Sequence, residues 1–133
     1  MLYEFDLAIP ANTPATAPVS VDAPLAPGRV AQVGILFPTG CVGLVHAYIV
    51  RSNHQVWPSN PDEQIIGNGQ EVTWPESFDL DDAPFGVVCY AFNLDDTYPH
   101  TLTFRFAVID ADQARSAQEA VSFLGRLRQL IGV

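Results

Sequence analysis

Thr101-Leu102-Thr103-Phe104-Arg105-Phe106-Ala107-Val108 alternates polar with apolar side chains, residue by residue. Successive side chains of an extended chain point to opposite faces, so the stretch reads as a strand with one face on a core and the other in water. The same period returns in Leu2-Tyr3-Glu4-Phe5-Asp6-Leu7-Ala8-Ile9. Between the two lie longer apolar runs, Arg29 to Phe37, Leu44 to Arg51 and Phe85 to Phe92, rich in Val, Ile and aromatics as strands near a sheet centre are. Ala17 to Asp22, Gln64 to Ile66 and Glu71 to Trp74 are weaker candidates. Seven or eight strands result.

The eleven prolines and nine glycines fall mainly between these runs, as in Phe37-Pro38-Thr39-Gly40 and Gly67-Asn68-Gly69, and mark turns. No helical crossover fits before residue 110, which argues against a parallel α/β sheet. The expected fold is therefore mainly β: an antiparallel β-sandwich, jelly-roll-like, over residues 1–110. The proline-rich segment Ala11 to Pro27 is either an extended arm or an edge strand.

From Asp110 the period changes from two to that of a helix. Asp110 can cap it with Gln113 in capping-box spacing, and Gly132 offers a stop after Ile131. Over 111–133 the apolar positions Ala117, Ala120, Leu124, Leu127 and Ile131 step by three and four, with Val121 and Phe123 widening the stripe. This C-terminal amphipathic α-helix packs either on its own sandwich or on a neighbouring subunit.

Composition bounds the function. Of 133 residues, 48% are hydrophobic and only 16% charged, well below the roughly 25% charged of an average domain. Such a surface suits either a chain packed against neighbours or a β-rich protein with a polar, uncharged exterior. Fifteen acids face six arginines and no lysine, for a net charge of −9. Phosphate binding needs a basic stripe; only Arg126 and Arg128 are close together, near the helix C-terminus, so direct nucleic-acid binding is not expected. Met1 to Pro10 lacks a signal-peptide pattern and no run approaches a membrane span, so the expectation is a soluble protein made in a cytoplasm, without membrane contact.

Candidate chemistry is sparse. His46, His54 and His100 show no zinc spacing, and Asp62-Glu63, Asp81-Asp82 and Asp95-Asp96 sit at turns, where Asp commonly bonds its own backbone. Asn93, Asp95, Asp96 and Thr97 offer oxygens for a cation such as calcium, without an EF-hand pattern. Cys41 in a turn and Cys89 in a strand read as buried free thiols ahead of a disulfide. No catalytic residue, cofactor or metal is expected. Trp57, Trp74 and Tyr98, each followed by proline, either plug the core ends, stack on sugars, or anchor a protein interface. The interface candidates are thus Trp57, Trp74, Tyr98, Ala117, Leu124, Leu127 and Ile131.

Phe37-Pro38-Thr39-Gly40-Cys41-Val42-Gly43-Leu44-Val45-His46, Gln55-Val56-Trp57-Pro58-Ser59-Asn60-Pro61-Asp62 and Asn93-Leu94-Asp95-Asp96-Thr97-Tyr98-Pro99-His100-Thr101 resemble segments of small proteins encoded among bacteriophage structural genes. The resemblance spans roughly residues 2–108 and is carried by turn and strand signatures. It implies a non-enzymatic virion component, most like a capsid decoration or cement protein, with a phage tail or baseplate subunit as the alternative. Its implied partners are further copies of itself, as in a trimer, and a major capsid or other virion protein. The competing class is a carbohydrate-binding β-sandwich module, which requires Trp57 and Trp74 exposed on one face.

Overall fold

The two alternating segments pair with each other. In a computed structural model, which describes residues 1–130, the chain forms β1 (Leu2–Ile9), β2 (Val19–Pro24), β3 (Gly28–Phe37), β4 (Val45–Arg51), β5 (His54–Trp57), β6 (Gln70–Leu80), β7 (Gly86–Asn93), β8 (His100–Asp110) and α1 (Ala111–Leu130). β1 and β8 run antiparallel from Leu2 opposite Ala107 to Ile9 opposite His100. One sheet has the order β1-β8-β3-β6 and the other β2-β7-β4-β5, with every pairing antiparallel. Consecutive strands mostly switch sheets, so the chain wraps a two-sheet sandwich as a jelly roll of eight strands.

The core follows from the alternation. Leu102, Phe104, Phe106 and Val108 of β8 are buried and meet Val30, Val33, Ile35 and Phe37 of β3 and Val45, Ala47 and Ile49 of β4. Val30 and Val33 both point inward although three apart, because the register of β3 shifts between Val30 and Gln32 against both neighbours. This bulge, which adds a residue and re-aims the side chains after it, is hidden within the continuous apolar run Arg29 to Phe37.

Three strand readings are corrected. His54 begins β5, a four-residue edge strand absent from the candidates, whereas Gln64 to Ile66 forms only a bridge from Ile65 to Ala47. Glu71 to Trp74 is part of an eleven-residue strand that continues through Pro75; β6 is an edge strand, where a residue without an N–H is tolerated. Ala11 to Pro27 is not a free arm. Its second half is β2, laddered along β7 from Val19 opposite Ala91 to Pro24 opposite Gly86, and its first half is pinned by an antiparallel bridge between Thr13 and Asn93.

The strand directions give the sandwich two unlike ends. At one lie the connections β1–β2, β3–β4, β5–β6 and β7–β8. At the other lie the remaining connections, the Met1 ammonium donating to the Val108 carbonyl at 2.7 Å, and the start of α1.

Candidate functional site

The loop end is built by the segment after β7. Asn93 is buried; its side-chain oxygen accepts the Asp95 N–H at 2.9 Å while its amide nitrogen donates to the carbonyls of Pro10 and Tyr98. Asp95 Oδ1 accepts the N–H groups of Thr97 and Tyr98 at 2.9 and 3.1 Å, and Oδ2 lies 2.9 Å from His100 Nε2. The His100 hydrogen bond and the two backbone donors hold the Asp95 carboxyl below the usual carboxylate range. Most of the oxygens on offer to a cation bond within the loop: Asp96 Oδ1 also accepts the Thr97 hydroxyl, and no group of three His, Cys, Asp or Glu side chains among the described residues is arranged to hold a metal. Cys41 is near enough to Asp95 to feel its charge, but burial first and that charge second push its thiol up, the reverse of what a nucleophile needs. Cys89 is likewise raised by burial, and both cysteines are free.

Clasped in this way, the loops present an apolar surface. Val42 and Leu44 of the β3–β4 loop, Ile66 of the β5–β6 loop, and Leu94 and Tyr98 of the β7–β8 loop are 36 to 68% exposed. All five lie at the loop end: the Leu94 N–H donates to the Leu44 carbonyl at 2.9 Å, and the Ile66 side chain lies beside Gly43, between Val42 and Leu44 in sequence. Val42 holds φ of +51°, a left-handed conformation that a β-branched residue adopts only under strain. Strain retained at an exposed apolar residue points to a role outside folding. Sequence reading had Tyr98 but missed the other four, because only the sandwich brings three separate loops together.

The two tryptophans divide. Trp57 is only 3% exposed: its ring packs among Phe78, Trp74 and Phe106 at centroid distances of 5.3 to 6.4 Å, and so plugs the core. Trp74 is half-buried, and both indole N–H groups donate to Glu76 Oε1, at 2.8 and 3.1 Å. A sugar-stacking face with both rings exposed is therefore not formed. On the outer face of the second sheet, His46 stacks on Phe92 and Tyr48 on Tyr90 at 4.6 and 5.2 Å. These rings spend their faces on each other.

α1 offers the second apolar surface. Val121, Phe123 and Leu124 are 58 to 70% exposed, and Ala120 is exposed too, so this stripe does not pack on its own sandwich. Ile131 lies outside the described residues, as do the side chains of Ala117 and Leu127. Among the described residues, no helix is long and apolar enough to cross a membrane. No protein-family model matches the chain, and a search of curated proteins returned no match.

Proposed function

We propose that the protein is a non-enzymatic structural component of a virion, a capsid decoration or stabilising protein acting through protein–protein contacts. The observation that carries this reading is the apolar patch of Val42, Leu44, Ile66, Leu94 and Tyr98, held on clasped loops and kept exposed at a cost in backbone strain at Val42. Such a surface gains by burial against a partner. The side chains of the loop network, by contrast, bond one another rather than an open cavity. The acidic exterior fits a position away from packaged nucleic acid. A tail or baseplate subunit would use the same patch, and the choice of a capsid follows the resemblance of the loop segments.

The test is co-sedimentation of the full chain with shells of the major capsid protein encoded alongside it. Stoichiometric binding that raises the melting temperature of the shell is the expected result, lost in a Val42→Asp/Leu94→Asp variant that melts as the parent does. Absence of binding to shells, or binding indifferent to the two substitutions, would overturn the assignment; capture by tail structures instead would move it to the alternative.

A further inference from the structure

We infer that α1 pairs antiparallel with α1 of a second copy, about a two-fold axis level with Ser122, so that the two sandwiches stand at opposite ends of the helix pair. The inference concerns the end of the molecule away from the loop patch and holds whether or not that patch meets a capsid.

Three observations select this occupant. The first is the exposed stripe itself: Ala120, Val121, Phe123 and Leu124 lie uncovered at the middle of a helix of 20 residues. Most of the stability of a helix in a protein comes from packing its apolar face, and this face is left bare.

The second is the pattern of sizes. In heptad terms Leu124 occupies a, Ala120 occupies d, Val121 occupies e and Phe123 occupies g. In antiparallel pairing a layers meet d layers, so Ala120 faces the second copy's Leu124 on both sides of the axis, small against large. The flanking positions then meet their own kind, Val121 beside Val121 and Phe123 beside Phe123. Parallel pairing would stack Ala120 on Ala120, leaving a void.

The third is charge. Residues 1–110 carry thirteen carboxylates against three arginines, ten negative charges in excess. Those three arginines are all committed to their own sandwich, Arg29 to Asp79, Arg51 to Asp82, and Arg105 to Glu4 and Glu71. Residues 111–133 reverse the sign, with Arg115, Arg126 and Arg128 against Asp112 and Glu119. Parallel pairing would set two strongly acidic domains side by side. Antiparallel pairing separates them by about 30 Å, the length of a helix of this size, several times the roughly 8 Å screening length at physiological salt. It also places Arg126 on the side of the axis nearer the partner sandwich. The expected symmetry is therefore two-fold, not the three-fold implied by the resemblance.

An interface this small belongs to the weak class, so light scattering and sedimentation of the full chain should be run up to about 1 mM protein. The expected result is a reversible rise from 14.5 kDa towards twice that mass, with X-ray scattering from the dimer showing two lobes at the ends of a rod. Leu124→Asp should abolish the dimer. Because Leu124 is exposed, the sandwich of that variant should melt as in the parent, which separates lost pairing from lost folding. A monomer throughout, a dimer indifferent to Leu124→Asp, side-by-side lobes or a trimer would each overturn the inference.

Discussion

Leu102, Phe104 and Phe106 of β8 and Val121, Phe123 and Leu124 of α1 are similar side chains lying about twenty residues apart in one chain. The first three are fully buried between two sheets, whereas the second three stand mostly in solvent. The difference lies in what each period can reach. A strand of period two buries one whole face once a second sheet closes over it. A lone helix continuing from β8 covers its apolar stripe only by turning back or by meeting another molecule. The described core therefore lies in residues 1–110, while Val121, Phe123 and Leu124 leave apolar surface uncovered.

The largest test of that division is Phe104→Ala. Emptying a fully buried ring site should cost about 3–5 kcal/mol in chemical denaturation; a cost below about 1 kcal/mol would place the stabilising core elsewhere. Glu76→Ala comes next, because it removes the one carboxylate oxygen that accepts both the Trp57 and Trp74 N–H groups. Loss of hydrogen bonds to a charged acceptor predicts about 2 kcal/mol of destabilisation, with a change in tryptophan fluorescence as an independent readout.

Asp95→Asn is a smaller, pH-dependent probe. A carboxyl whose folded pKa is depressed adds stability that is present above its unfolded pKa and lost as pH falls through the folded value. The melting-temperature gap between parent and variant should thus be full at neutral pH and narrow below about pH 4, where an ordinary Asp protonates. A gap that widened in acid would refute the role given to the Asp95 loop.

Val42→Gly should move the other way. Relieving the left-handed strain should stabilise the isolated protein by about 1 kcal/mol while weakening any partner contact at the loop end. The smallest effect is expected from removing residues 116–133, which should leave the stability of the sandwich within about 0.5 kcal/mol of the parent. A large loss there would mean that α1 supports its own sandwich after all.

The sandwich was legible because alternation is a local signal: β1 and β8 can be read from eight residues each, without knowing that they pair. β5 was not, since His54-Gln55-Val56-Trp57 is too short to show a period, and β6 was truncated because Pro75 and Glu76 interrupt it. Glu76 faces inward only because two indole N–H groups wait for it there, a reason no single segment contains. The apolar patch was illegible for a similar cause: Val42, Ile66 and Leu94 are unremarkable in separate loops and become a surface only when the jelly roll gathers the loops at one end. The helix was legible as a period, whereas what it packs against is a property of other surfaces. Trp57 shows the limit of composition, because a tryptophan before a proline reads equally as a plug or an anchor until Phe78 and Phe106 close around it.

The two buried thiols have a practical consequence. Cys41 and Cys89 are shut away from solvent, and burial raises both pKa values, so neither offers a thiolate to oxidants or to alkylating dyes. The folded chain is in effect cysteine-free towards reagents in the surrounding water. A cysteine introduced at Gly125, where nothing crowds the helix, would then be the only thiol to take up a fluorophore. Energy transfer between labelled copies would then test whether two copies meet, without stripping the native cysteines from the core.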